Sequence, residues 1–498
     1  MAAMRRLLTS RPRRVLAGLA LTLRTVLHVA GELRLPVVDA LDRMLYDARL
    51  KLHRVQAQPR VVIVDIDEKS LAAQGRWPWS RQSIARLTEQ LAGRGDAAVI
   101  GFDIVFAEPE GVDRLALIDR MAADPAFSQV RGELQKMASE LDHDRQLATV
   151  LEQRPVVLSY YFTSDRGGRT AGSLPAPVLA IDDLARLGYR VTSWNGYGAN
   201  LGAFQAAARR AGFFNPRLDS DGVVRELPVL AAYGDAVYES FALAVLRTYL
   251  GDAVLALDDA GVSVRGSRGA VALPLTGDST ALVPFAGAGG PAGGRFRYLS
   301  ATDVIEGRFD PKVVRDAIGL VGTSAPGLTD LRATPVSEVY PGVEIHASLI
   351  AGALEGVLKT RPAGDSMLSA ALLALLGMFL AFAMPAMAMP GIAFVGGIAA
   401  LTLTGWASIA YSNLGWILSL APGLTLVGGL AVLNFAAGYF VEGRAKRAVV
   451  ERFGEYVAPQ VVERMVRNPH SYRLDSENRE LTILFADIRG FTRISEAM

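Results

Sequence analysis

The segment VVIVDIDEKSL, residues 61–71, is a short apolar run that ends in carboxylates, and a run of the same form, AAVIGFDIVFAEP, occupies residues 97–109. An amphipathic stretch at 81–91 lies between them. Three further stretches complete the pattern: PVVLSYYF (155–162), AIGLVGTSAPG (317–327) and, with helical periodicity, VEIHASLIAGAL (343–354). Continuous apolar strands alternating with helices predict an α/β domain whose sheet is buried on both faces.

Three aspartates, Asp65, Asp67 and Asp103, lie near the predicted ends of the first two strands. Ligands of open α/β sheets bind at the carboxyl ends of the strands, so these carboxylates could form a polar or metal-binding crevice. The alternative, which we favour, is that they cap loops and helix starts.

Other conspicuous residues have a functional and a structural interpretation. Trp77 and Trp79 in GRWPWSR could anchor a ligand or pack beneath a loop. His346 lies in a helical apolar pattern without a visible ligand partner, which favours a core residue. The segment LDSDGVVREL, residues 218–227, has its glycine too early for a calcium loop, so we predict an Asp-Gly hairpin turn there.

Composition excludes several classes of site. The 498 residues include no cysteine, which removes disulfides, thiolate zinc sites and cysteine nucleophiles. The formal net charge of +2 gives no electrostatic argument for nucleic-acid binding.

The region 366–441 is a run of 76 residues without Asp, Glu, Lys, Arg or His. A membrane-spanning helix needs about 20 apolar residues, so the run accommodates three spans. The turn-like segments PAMAMP and SNLG divide it into predicted transmembrane helices at 366–384, 391–411 and 416–441. A buried soluble hairpin is the disfavoured alternative, because so long a charge-free run is typical of membrane segments.

The amino-terminal region is basic at 1–14, with five arginines and no acidic residue, and apolar at 15–34. We interpret the apolar part as a transmembrane helix or uncleaved signal anchor, with a cleaved secretory signal as the alternative. Basic residues mark cytoplasmic flanks. Both termini are therefore predicted to be cytoplasmic, with residues 35–362 on the opposite side of the membrane.

Four separated blocks resemble the second type of CHASE domain: IVDIDEKSLAAQGRWPWSRQSIARL, IGFDIVFAEP, GFFNPRLDSDGVVRELPVL and LVGTSAPGLTDLRATPVSEVYPGVEIHASLI. The resemblance implies an extracytoplasmic (periplasmic) sensor at 35–362, ahead of a bacterial signalling enzyme in the cell inner membrane. It supplies no identity for the external signal.

Residues 442–475 read as a cytoplasmic helical linker. The strand-like LTILFADI then leads into FADIRGFT, which, preceded by RFGEYVAPQVVERM, resembles the entry to class III nucleotidyl cyclases. The resemblance implies that residues 476–498 begin an α+β (ferredoxin-like) cyclase domain.

Carried over residue by residue, the resemblance makes Asp487 the catalytic metal ligand and gives Ile488 a carbonyl contact to the metal, Mg²⁺ or Mn²⁺. Gly490, Phe491 and Thr492 would supply the main-chain groups that bind the substrate triphosphate. The implied reaction converts ATP, or alternatively GTP, to a cyclic nucleotide and pyrophosphate in a homodimer.

The family's second metal-binding aspartate, base-selecting pair and transition-state Asn and Arg lie downstream of this first strand. The sequence contains no such downstream region, so we expect the chain as given to be inactive, either as a fragment or as a cyclase that lost its catalyst. The alternative function is a non-enzymatic membrane sensor. A sensor kinase is disfavoured because FADIRGFT is not a kinase motif.

Overall fold

The structure is a computed structural model that describes residues 10–52, 56–325, 331–362 and 365–454, with the single positions 480, 482, 484 and 486. Two units are distinguished by their internal contacts. One comprises Met1–Leu21, Gly377–Gly396 and Gly428–Met498, and the other comprises Thr22–Leu376 and Gly397–Val427.

The described α-helices are α1 Arg11–Val29, α2 Pro36–Lys51, α3 Glu68–Gln74, α4 Arg81–Glu89, α5 Val112–Ala123, α6 Arg131–Leu141, α7 His143–Gln153, α8 Ile181–Arg186, α9 Gly202–Ala207, α10 Phe241–Tyr249, α11 Gly290–Gly293, α12 Ala301–Ile305, α13 Gly342–Glu355, α14 Asp365–Ala383, α15 Met389–Ile409 and α16 Ala421–Gly454. The described strands are β1 Val61–Asp65, β2 Val99–Phe102, β3 Val156–Thr163, β4 Thr170–Ala171, β5 Leu179–Ala180, β6 Thr192–Trp194, β7 Gly196–Gly198, β8 Arg210–Phe213, β9 Arg217–Leu218, β10 Val224–Pro228, β11 Leu230–Tyr233, β12 Ala236–Glu239, β13 Val254–Asp258, β14 Gly261–Gly266, β15 Gly269–Pro274, β16 Thr280–Leu282, β17 Arg297–Ser300, β18 Ile318–Gly322, β19 Leu331–Arg332 and β20 Tyr340–Pro341.

The apolar runs of the sequence form the centre of one mainly parallel sheet. Its order is β17-β1-β18-β2-β3-β7-β4, with β8 also paired to β3. The pairs β17–β1, β1–β18, β18–β2, β2–β3 and β3–β8 are parallel, whereas β7 runs antiparallel to β3. The predicted α/β fold of the sensor region is therefore confirmed.

Both faces of this sheet are covered, as the continuous apolar strands predict. Val61 and Ile63 of β1 belong to one hydrophobic cluster, together with side chains of α10 and α13. Val62 and Val64 belong to a second cluster, with side chains of α4, α7 and α12. Successive side chains of a strand point to opposite faces, so β1 contributes to two cores at once.

The segment 218–227 forms the predicted hairpin. Strands β9 and β10 pair antiparallel around a turn in which the Gly222 N–H donates to the Asp219 carbonyl at 2.9 Å. Gly222 adopts φ +78°, a left-handed conformation that glycine accommodates without strain. The calcium-loop alternative is therefore not needed to explain the two aspartates.

Among the residues that the structure describes, three helices are long and apolar enough to cross a membrane by length and composition: Ser366–Ala386, Met389–Leu414 and Ala421–Tyr439. The first two agree with the predicted spans. The third begins at Ala421 instead of Trp416, because residues 416–420 are not helical. Thr360 pairs with this segment, its N–H donating to the Gly415 carbonyl and its carbonyl accepting from Ile417.

The amino-terminal segment is helical from Arg11 to Val29, but it is not among those three candidate spans. Within the first unit α1 packs closely on two of them. A Cβ added to Gly18 would lie 2.9 Å from Ala381 Cβ in α14 and 3.1 Å from Leu430 Cδ2 in α16. Small residues permit such close approach between membrane helices. This contact favours packing of α1 with the candidate spans α14 and α16.

Candidate functional site

Asp65, at the end of β1, lies at the carboxyl edge of the parallel sheet. Its carboxylate accepts from the Ser324 N–H at 2.8 Å and from the Ser324 hydroxyl at 2.5 Å. Burial raises the pKa of Asp65, although the two hydrogen bonds from Ser324 oppose the change. The main structural role of Asp65 is to hold the segment after β18 against the end of β1.

Asp67 combines a capping role with a contact across the sheet. Its carboxylate accepts from the Ser70 N–H at 2.8 Å, so it caps the start of α3, as we favoured from the sequence. The same oxygen accepts from the Ser300 hydroxyl at 2.8 Å. Ser300 ends β17, so Asp67 also connects the neighbouring strand to α3.

These two aspartates line one crevice of about 530 Å³. Its walls also contain Glu68, Lys69, Tyr298, Ser300 and Ser324. The crevice opens where β17, β1 and β18 end, the position at which parallel sheets usually bind ligands. Its carboxylates and hydroxyls suit a small polar or cationic ligand.

Tyr298 connects the crevice to a buried carboxyl group. The Tyr298 hydroxyl donates to Glu344 Oε2 at 2.7 Å, and the Gly290 N–H donates to the same oxygen at 2.6 Å. Burial raises the pKa of Glu344, which is fully inaccessible to solvent. Sequence reasoning missed this residue, because it lies in the first turn of α13 among apolar neighbours.

Asp103 does not join the other two aspartates. Strand β18 lies between β1 and β2, so their ends are about 10 Å apart. Asp103 instead borders a small cavity with His346 and Arg332. The crevice of three aspartates, the alternative that the sequence left open, is therefore not formed. The strand that separates them, β18, comes from more than 200 positions later in the chain than Asp103.

Trp77 and Trp79 pack against the protein. Trp79 is 4 % exposed, and its indole N–H donates to the Gly75 carbonyl at 2.9 Å. The two rings contact edge to face with centroids 5.6 Å apart, and Trp77 packs on the same cluster. Of the two interpretations of this motif, the structure supports packing.

His346 is a core residue, as predicted. It is 5 % exposed, its ring contacts Phe241 edge to face, and one ring nitrogen hydrogen-bonds the main chain of Phe214. Its Nδ1 has no hydrogen-bond partner of standard geometry among the described residues. Burial lowers the pKa of His346 to about 4. The imidazole is therefore held neutral at ordinary pH.

Within the described part of the chain, no cluster of three or more histidine, aspartate or glutamate side chains is arranged to hold a metal ion. The residues predicted to bind metal and triphosphate in the cytoplasm lie outside the described residues: Asp487, Ile488, Gly490, Phe491 and Thr492. Their roles stay predictions.

A buried arginine, which sequence reasoning missed, joins α2 to the β9–β10 hairpin. Arg225 is 4 % exposed and donates to Asp47 on α2 at 2.7 and 2.9 Å. It also donates to Asp219 at 2.7 Å and to Asp221 at 2.9 Å. These hydrogen bonds hold the pKa of Asp221 below its usual range. The signal that could have revealed this residue is a charged side chain within the largely buried strand β10.

Helix α2 also contacts the start of α16. Asp42 Oδ1 accepts from the Ala421 N–H at 3.0 Å and so satisfies one of the free donors of that helix terminus. About two turns further along α2, the Arg49 guanidinium lies 4.8 Å from the centre of the Tyr411 ring. Thus α2 bonds to the β9–β10 hairpin through Asp47 and to the start of α16 through Asp42.

Comparison with known proteins gives one family. The family model described as the CHASE2 domain matches residues 19–384, well over half of the chain. No curated protein and no solved structure matches the sequence.

Proposed function

The chain belongs to the CHASE2 domain family, and from that premise we propose that it is a membrane-bound receptor whose extracytoplasmic sensor controls a cytoplasmic adenylate cyclase. CHASE2 is an extracellular sensor domain often found in signalling proteins. The observation that carries the proposal is the combination of this domain with three apolar helices near its carboxyl end. A sensor that precedes a membrane region needs an output on the other side.

The motif FADIRGFT at residues 485–492 supports a cyclase as that output. Asp487 and the Ile488 carbonyl are hard oxygen donors of the kind that Mg²⁺ or Mn²⁺ binds, so they fit a metal by the chemistry of the donor set. The bound metal would lower the pKa of the ribose 3′-hydroxyl and neutralise charge on the leaving pyrophosphate.

The main-chain N–H groups of Gly490, Phe491 and Thr492 would orient the triphosphate at a glycine-containing turn. In the proposed reaction the ATP 3′-oxygen loses its proton and bonds to the α-phosphorus. The bond from that phosphorus to the bridging oxygen breaks, which gives cyclic AMP and pyrophosphate. GTP is the alternative substrate, and a homodimer is the proposed assembly.

Helix α2 supports a route for the signal. Its contacts with Arg225 on the sensor side and with Ala421 at the start of α16 would couple sensor movement to the helix that leads toward the cyclase motif. Two defined contacts on one helix give the coupling a physical basis that substitutions can test.

The test is nucleotide cyclisation in membranes that carry the protein expressed from its whole gene, with any coding sequence that follows position 498 included. We expect magnesium-dependent cyclic AMP from ATP, and a loss of roughly 10²–10³-fold or more with Asp487→Ala. Glu480→Ala is the matched control, an exposed carboxylate of the same region, and it should retain activity.

The outcomes separate the candidates. Greater turnover of GTP would make the protein a guanylate cyclase. A correctly inserted protein that forms neither product, with or without Mn²⁺, would support the non-enzymatic sensor instead. Full activity of Asp487→Ala would remove that residue from the catalytic centre.

A further inference from the structure

A second cavity of the sensor lies away from the strand-end crevice. Its volume is about 740 Å³. Its walls are the loop before β5, helix α9, the start of β8, helix α10 and the start of β13. Five charged residues line it: Arg209, Arg210, Glu239, Arg247 and Asp252.

Two of the three arginines in this cavity are matched to an acid. Arg247 donates to Glu239 at 2.8 Å, and it also donates to the Ala253 carbonyl at 3.0 Å. Arg209 donates two hydrogen bonds to Asp252. Both carboxylates of the cavity are therefore already engaged, and one positive charge is in excess.

Arg210 carries that excess charge. Its closest carboxylate oxygens, on Glu239 and Asp252, are each 3.8 Å away, beyond hydrogen-bonding distance. Its Nε is buried without a hydrogen-bond partner among the residues that the structure describes, and its two terminal nitrogens make only the longer ion pairs with Glu239 and Asp252. Burial, followed by the neighbouring Arg247, lowers the pKa of Arg210. A half-buried guanidinium with unused donors is costly unless something accepts from it.

Gln205 adds a second polar group with unused capacity. Its Oε1 is buried in the cavity wall without a hydrogen-bond partner in the described part of the chain. A turn of the amide by 180° exchanges this oxygen for an NH₂ donor. Gln205 and Arg210 could then both donate to an acceptor in the cavity.

The remaining lining is apolar. Leu174, Pro175, Pro177, Val254 and Leu255 contribute to the walls. A bare inorganic ion would leave this surface uncovered, whereas an organic acid would contact it with its carbon skeleton.

We propose that this cavity binds a small organic carboxylate, with Arg210 as its principal hydrogen-bond donor. The guanidinium fork matches a carboxylate in two parallel N–H···O bonds. The idea that such an acid is the signal of the sensor rests on the proposed receptor function. Its binding to the cavity does not depend on that function, and it can be measured without any enzymatic readout.

The experiment is calorimetric titration of the whole protein in lipid nanodiscs, with succinate and inorganic phosphate as separate probes. We expect saturable binding of succinate and weaker binding of phosphate. Arg210→Gln should weaken succinate at least tenfold, since bonds between charged groups are lost. Asp252→Asn should tighten it, because a competing carboxylate charge is removed.

Arg268→Gln is the control, an exposed arginine paired with Asp316 outside the cavity, and it should leave the affinity unchanged. Thermal melting without ligand checks that Arg210→Gln folds. Should it not fold, Gln205→Glu tests the same point, because a new carboxylate would repel the ligand.

No succinate binding at 10 mM, or equal affinity in wild type, Arg210→Gln and Gln205→Glu, overturns the proposal. Phosphate binding as tight as succinate overturns the organic part of it. Succinate binding that leaves cyclic AMP formation unchanged would support the site and count against its control of the cyclase. The failure of one idea is thus distinguishable from the failure of the other.

Discussion

At the scale of single residues, the sensor buries ionisable groups whose surroundings fix their protonation. His346 is neutral because it is enclosed between Phe241 and the main chain of Phe214. Its position in the core could be predicted, since the helical apolar pattern around it was plain. The partners of Arg225 could not, because Asp47 lies 178 positions away in sequence.

His346 makes stability depend on pH in a definite direction. Its pKa is about 4 in the folded protein against 6.5 for a free side chain, so between these values the unfolded chain binds more protons there. Stability from this residue is present above pH 6.5 and falls as the pH falls toward 4. Between pH 7 and pH 5 the loss is about 2 kcal/mol. Thermal melting of the protein in nanodiscs at both values measures it.

The variant His346→Phe keeps a ring against Phe241 but cannot titrate, so its melting temperature should fall less than that of wild type over the same pH interval. Phe241→Leu is the control, which should be less stable at both pH values and keep the wild-type slope. Buried carboxyls such as Asp65 and Glu344, whose pKa values are raised, act in the opposite direction. They are common to all three proteins and cancel in the comparison. An unchanged slope in His346→Phe would contradict the assignment.

At the scale of elements, helix α2 is bound to the β9–β10 hairpin by one arginine. The turn of that hairpin could be predicted from Asp-Gly chemistry. The tertiary role of its aspartates could not, because local rules describe only the turn. In the structure Asp219 and Asp221 satisfy the turn and also accept from Arg225.

We expect Arg225→Ala to lower the free energy of unfolding by about 3 kcal/mol, because it leaves several half-buried carboxylates without their cation. A double-mutant cycle with Asp47→Asn should show that the two changes are not additive. Arg308→Ala removes an exposed arginine that also contacts two carboxylates, and it should cost less than about 1 kcal/mol. Chemical denaturation followed by tryptophan fluorescence measures all five proteins, the wild type and the double variant included. Additive effects of the first pair would argue against a coupled junction.

At the scale of the whole molecule, the strongest signals in the sequence were the charge-free run and the apolar strands. Both signals reflect burial over many consecutive residues, so they can be recognised in the sequence without knowledge of the fold. The crevice could be predicted only in part, since Asp65 and Asp67 follow one strand but Asp103 follows another that β18 separates from it. Which strands become neighbours is a property of the complete chain.

The proposed topology is testable because the chain contains no cysteine. Ser220→Cys places a thiol on the exposed turn of the β9–β10 hairpin, and Glu480→Cys places one beyond the last span. In spheroplasts a membrane-impermeant maleimide should label the first and should label the second only after lysis. The cysteine-free parent is the control for background labelling. Equal labelling of both positions in intact spheroplasts would contradict the proposed orientation.

Helix α16 runs without interruption for 34 residues, which corresponds to about 51 Å, whereas the hydrocarbon core of a bilayer is about 30 Å thick. The same series of backbone hydrogen bonds therefore extends over a length greater than the thickness of that core. Each residue of such a rod advances the azimuth by about 100°. One residue inserted or deleted between Ala421 and Gly454 would rotate the residues beyond it by about 100° about the helix axis. We therefore expect the orientation of the segment after the helix to depend on the exact number of residues in α16.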